Sequence, residues 1–111
     1  MKHTNAIILT TSILMAAGLT SASAADAKAI WQKDCAKCHG AEGKGDTKIG
    51  KKLEIRDFSD AKVQASLKEE EMFKAIKEGV KDGEKTKMKA AEGVNDEDIK
   101  ALVAYVRQFK K

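Results

Sequence analysis

Cys35-Ala36-Lys37-Cys38-His39 is the stretch of this chain whose residue types and spacing can do chemistry. Two cysteines three positions apart on a helical turn present their thiols near one face. Thiols placed this way can form thioethers to two vinyl groups on one porphyrin edge. The histidine that follows brings an imidazole under the ring, where a free ring nitrogen can take the iron. The pattern C-x-x-C-H is the attachment sequence for a covalent haem. Three other uses of the same residues are weaker. A dithiol enzyme needs a βαβ context that the sequence lacks. A structural zinc site needs four ligands, and beyond the N-terminal stretch the chain offers two cysteines and one histidine. A Cys35–Cys38 disulfide would close a very short loop and add little stability.

The elements that must position this motif follow from periodicity. Ala27, Ile30, Trp31, Cys35 and Cys38 fall at helical spacing, and Asp26 suits the start of that helix. Trp31 reads as a core aromatic one turn before the cysteines. Gly40, Gly43, Gly45 and Gly50 mark residues 40–52 as loop. Their order does not match a phosphate-binding loop, and no strand precedes them. Leu53, Ile55 and Phe58 are candidates to line a pocket. Arg56, between them, suits either a propionate carboxylate or a nearby acid. Ser66-Leu67-Lys68-Glu69 has the pattern of a capping box, opening a helix over about 67–78 with Gly79 as its stop. Residues 80–94 carry no periodicity and read as one long loop, which holds Met88. Asn95 caps a final helix whose apolar stripe is Ile99, Leu102, Val103, Val106 and Phe109. No internal repeat or strand alternation is visible.

The N-terminus reads differently. Lys2 and His3 give a positive start, Ala6 to Leu19 carry no charge, and Ala22-Ser23-Ala24 has the form of a small-residue cleavage site. That apolar run is shorter than the ~20 residues a membrane span needs. We therefore expect residues 1–24 to be a cleaved secretory signal, or failing that a retained anchor. Residues 25–111 would then form a single exported, periplasmic domain. Such a short domain is marginal unless something staples it. Its aromatics are few (Trp31, Phe58, Phe73, Tyr105 and Phe109), and a large flat apolar haem would complete the core. The formal net charge of +4 is too small, and too little interleaved with aromatics, to point to nucleic acid.

Taken together, these residues make the chain resemble a small class I c-type cytochrome, a single-haem periplasmic electron carrier. The resemblance rests on Trp31 four before Cys35, on Cys35-x-x-Cys38-His39-Gly40, and on the glycine-rich loop. It continues through the middle helix, the Met88 segment, and Ala101-Leu102-Val103-Ala104-Tyr105-Val106 in the last helix. It implies an all-α cytochrome c-like fold, with three main helices and long loops wrapped around one covalent haem c. The first and last helices would cross near Ala27 and Tyr105. Cys35 and Cys38 would hold the haem, His39 would be the proximal iron ligand and Met88 the distal one. The chain departs from the family pattern in having no proline. Gly50-Lys51 stands where the family often has Gly-Pro, whose carbonyl commonly accepts the proximal imidazole N–H. Met88-Lys89 stands where it often has Met-Pro, which leaves the ligand segment less constrained.

Two methionines compete for the distal position. Met72 lies on the apolar face of a helix, where methionine commonly serves as filler. Met88 lies in the polar run Lys85-Thr86-Lys87-Met88-Lys89, where an apolar residue needs a reason. A closed His39/Met88 iron has no open site for a substrate, so the expected function is single-electron transfer without a catalytic acid, base or nucleophile. A haem-based sensor or small peroxidase is the alternative if Met88 does not bind the iron. Lys33, Lys37, Lys44, Lys85, Lys87 and Lys89 flank the two haem-contacting segments and would steer acidic redox proteins toward a monomeric carrier. Membrane contact is expected only through such partners or a retained leader.

Overall fold

The computed structural model describes residues 24–111. The expected leader lies, but for Ala24, outside the described residues. The first helical stretch runs through α1 (Ala24–Ile30), a wide π turn (Trp31–Cys35) and α2 (Ala36–His39). Asp26 lies inside its first turn instead of capping it, and still suits the helix dipole. Gly40, at φ 87°, ends the stretch directly after the histidine. The π turn is the unexpected part. Such turns concentrate at functional sites, and this one lies between the core tryptophan and the cysteines.

The last helix, α6 (Asp96–Arg107), starts as its sequence dictates. Asp98 N–H donates to the Asn95 side chain at 2.8 Å, and Asn95 N–H donates back to the Asp98 carboxylate at 3.1 Å. Ile99, Leu102, Val103 and Val106 are buried along one stripe. Leu102 and Val106 form a common core with Ala27, Trp31 and Leu67. Ala27 is fully buried there, and its small side chain permits α1 and α6 to approach closely. Tyr105 packs on Trp31 with ring centroids 5.8 Å apart, at the expected crossing.

The middle of the chain corrects three expectations. Thr47 caps a short helix, α3 (Lys48–Lys52), inside the stretch that composition marks as loop. Asp60 caps another, α4 (Ala61–Ser66), through its carboxylate and the Lys62 N–H at 2.7 Å. Ser66 is not a capping-box residue. Its hydroxyl donates to the Val63 carbonyl at 2.7 Å and finishes α4. Leu67 and Lys68 are then extended, which turns Leu67 into the core, and α5 (Glu69–Glu78) begins without a side-chain cap. Three glutamates in its first turn serve the dipole instead.

The third correction is a β-hairpin within the segment expected to be all loop. β1 (Val80–Asp82) pairs antiparallel with β2 (Lys85–Met88), matching Val80 to Met88 and Asp82 to Lys85. Gly83, at φ 63°, provides the positive φ of the tight turn. The strands show no alternation because, Met88 apart, every one of their residues is exposed. At the hairpin's base, Gly79 admits the returning chain. A Cβ there would lie 2.6 Å from the Met88 carbonyl oxygen. Among the described residues no helix is long and apolar enough to cross a membrane.

Candidate functional site

Of the sequence-predicted residues, Cys35, His39 and Met88 meet in one cleft, and Cys38, half-buried on α2, is not in its walls. Its walls include Cys35, His39, Phe58, Met72 and Met88, backed by Trp31 and by Leu102 of α6. Counting its open mouth it spans about 460 Å³ and is almost wholly apolar. A second groove lies between α5 and α6, but Glu69, Glu70 and Lys100 are in its walls and none of the predicted ligands is. The chemistry belongs to the first cleft. Of the trio suggested by the sequence, Phe58 lines it and Leu53 and Ile55 do not.

Both cysteines are free thiols and half-buried. Burial pushes the Cys35 thiol up to about 11, with the electrostatic influence of Asp34 and then of Cys38 adding to the effect. A redox dithiol needs the opposite, a thiol driven toward thiolate. The electrostatics therefore disfavour a thioredoxin-like use of the pair. Among the described residues, no cluster of three or more His, Cys, Asp or Glu side chains is placed to hold a metal ion on its own.

His39 is held from several sides. Its ring lies 5.4 Å from Trp31 and 5.3 Å from Phe58, nearly parallel to the latter. Burial lowers its pKa below the ordinary value, so the imidazole is neutral at neutral pH and offers a lone pair. Its Nδ1 is buried with no hydrogen-bond partner. The expected bond to the Gly50-Lys51 segment is not formed. The Gly50 carbonyl accepts from Ile55 N–H at 2.9 Å and that of Lys51 from Glu54 N–H at 3.3 Å.

The backbone around the motif is tightly fitted. Thr47 donates its hydroxyl to the Cys38 carbonyl at 2.7 Å and accepts from Gly50 N–H at 2.9 Å. A Cβ on Gly50 would meet the Gly45 and Cys38 carbonyl oxygens at 2.5 and 2.6 Å. That position needs glycine for close approach rather than for a positive φ. Trp31 donates its indole N–H to the Gly40 carbonyl at 2.9 Å, fastening the residue after His39 to the core.

The apolar walls, the Cys35 thiol and neutral His39 imidazole that line them, and the second free thiol three residues on fit a covalent haem. The comparisons with known proteins agree. Residues 24–110 match the Cytochrome c family. The chain belongs to the cytochrome c family. Among solved structures it is similar to the KustC0563 c-type cytochrome, at 35% identity and a TM-score of 0.66, over 77% of this chain and 98% of that one. A tyrosine-to-phenylalanine variant of that protein matches at 35% identity and a TM-score of 0.64, over 77% and 99%. No curated protein matches. This cytochrome is accordingly an electron-transfer haem protein with the cytochrome c fold, and its cofactor is haem c.

Two arrangements were not readable from the sequence of this cytochrome. Gln64 is buried, and its amide donates to the Phe58 carbonyl at 2.6 Å and the Val106 carbonyl at 2.8 Å. Arg107 spans the same region, donating to the Gln64 and Leu67 carbonyls at 2.6 and 2.8 Å and to Glu69 at 2.7 Å. Together they tie the α4–α5 junction to α6 behind the cleft. The only available signal was a glutamine inside an otherwise unremarkable helix. Arg56, in contrast, is exposed and, among the described residues, reaches the Ser66 hydroxyl at 3.4 Å.

Proposed function

We propose that this cytochrome is a single-electron carrier in which Cys35 and Cys38 hold the haem and His39 and Met88 bind its iron, with no catalytic role and no small-molecule substrate. The observation that carries the reading is the meeting of Cys35, His39 and Met88 in one apolar cleft. When bound, the haem supplies a one-electron iron couple, and thioether ligation favours its reduced form. The chain's own residues do the rest. His39, neutral in its packed site, presents a ring nitrogen. Leu102, Val106 and Ile76 keep water away. Low polarity in the walls sets the potential.

Met72 lines the same cleft, so the methionine is the element to test. The ferric protein's near-infrared spectrum should carry a weak sulfur-to-iron charge-transfer band. Met88→Ala should abolish it and Met72→Ala should leave it. A band lost only with Met72 would reassign the ligand. A wild type that lacks the band and binds added imidazole readily would favour the sensor or peroxidase reading.

The proposed partners are redox proteins with acidic docking faces. Supporting this, Lys33, Lys37, Lys85, Lys87 and Lys89 are all exposed, on the two segments that reach the cleft, with Lys87 paired to Asp82 at 3.6 Å. Lys44 is half-buried and pairs with Glu42 at 3.2 Å. Such steering makes association rates fall as salt rises. Export to the periplasm with removal of residues 1–24 belongs to the same proposal, resting on the leader-like N-terminus. Mass measurement of the secreted protein tests it.

A further inference from the structure

We infer that Phe58 is a positioning residue for the His39 imidazole, fixing its ring plane by stacking where the usual hydrogen bond is missing. The inference rests on His39 being the proximal ligand. A ligating histidine generally donates its second ring N–H to a carbonyl or carboxylate, which sets the rotation of the ring. His39 Nδ1 has no such partner, and the carbonyls of Gly50 and Lys51 take their hydrogen bonds from Ile55 and Glu54. Rotation about the Cβ–ring bond is a broad, soft torsion. Something else must hold it.

The ring is flanked on two sides by aromatics. Phe58 stacks on it at 5.3 Å with 21° between the planes, and Trp31 lies at 5.4 Å with 42° between them. Each flank is itself anchored. The Trp31 indole donates to the Gly40 carbonyl at 2.9 Å. Phe58 donates its N–H to the Gly43 carbonyl at 2.8 Å, and its carbonyl accepts from the Gln64 amide at 2.6 Å. Gln64 is 4% exposed and holds α6 with its second amide hydrogen, so it cannot follow a moving Phe58. Turning the imidazole would require Phe58 to move against these bonds. Aromatic pairs of this kind attract beyond their burial, which biases a soft torsion.

The orientation of an axial imidazole decides which iron orbital holds the unpaired electron of low-spin ferric haem. The order and spread of the haem-methyl proton shifts report it. The test uses the haem-loaded ferric protein as wild type, Phe58→Tyr and Phe58→Leu, with melting temperatures measured alongside. Phe58→Tyr keeps the stacked ring and should preserve the wild-type shift pattern. Phe58→Leu keeps an apolar wall without the ring and should change it. Should Phe58→Leu fail to mature, Phe58→Met is read in the same way. A lowered melting temperature with an unchanged pattern would overturn the inference and leave Phe58 as core. A wild type without a low-spin signal would remove Met88 as the ligand and not His39, and the shift pattern is then read on the cyanide-bound ferric protein. Absence of shifted His39 ring protons in that adduct would remove His39 as the ligand, and the inference with it.

Discussion

The two sides of the cleft are built in different ways. On the His39 side, residues 31–58 press together through Trp31, Gly43, Gly50 and Phe58, with hydrogen bonds from the Trp31 indole and the Thr47 hydroxyl to the backbone of the haem motif. On the Met88 side, a hairpin that is exposed apart from its last residue delivers the methionine. It is fastened at its base, where Ala91 N–H donates to the Ile76 carbonyl at 2.9 Å. A segment with few buried contacts opens at lower free energy than the core. His39 is thus held by the fold itself, whereas Met88, the proposed second ligand, is held by a local closure.

The largest effect should come from breaking the tight side. Trp31→Ala removes a side chain that is 3% exposed and touches His39, Tyr105 and Phe109. It should cost ~3–5 kcal/mol in chemical denaturation of the haem-loaded protein, or prevent maturation altogether. Sharpening the contrast needs the loose side. With rising guanidinium, the methionine charge-transfer band should vanish before the far-ultraviolet helical signal does. Coincident transitions would mean that the hairpin and the core open as one unit.

Smaller changes test elements outside both sides. Asn95→Ala deletes the α6 cap and should cost ~1 kcal/mol, without moving the charge-transfer band. Glu54 is the one non-glycine residue with positive φ, at 55°, among those described. Glu54→Gly relieves a left-handed conformation that costs an L-residue ~1 kcal/mol, offset in part by glycine's greater chain entropy. Its melting temperature should rise slightly. A fall would show that the Glu54 side chain contributes more than its backbone costs.

The same contrast explains what was legible in the sequence. The haem motif and α6 could be read because their information is local: a fixed spacing of cysteines and histidine, and an amphipathic stripe behind Asn95. The hairpin could not, because strands whose residues nearly all face solvent leave no alternation to detect. Ser66 matches a capping box in sequence yet finishes α4, because the same side chain can start one helix or finish another, and burial of Leu67 decides which. Helices α3 and α4 are a turn or two long and owe their existence to caps at Thr47 and Asp60. The stacking of Phe58 on His39 joins residues nineteen apart, and no local pattern encodes it.

The π turn at Trp31–Cys35 also sets how far this chain's length can vary. Removing one residue there would let the stretch relax to an ordinary α-helix of 3.6 residues per turn. A π turn holds about one residue more than an α turn for the same rotation, so the downstream face would keep its phase. Cys35, Cys38 and His39 would still face the cleft below Trp31. At the hairpin tip, where a side chain on Gly83 would meet nothing within 4 Å, an added residue disturbs only solvent. Insertions should therefore be tolerated near Gly83. Loss of one residue between Trp31 and Cys35 should leave haem attachment intact, whereas an added residue there should turn the motif by ~100° and abolish it.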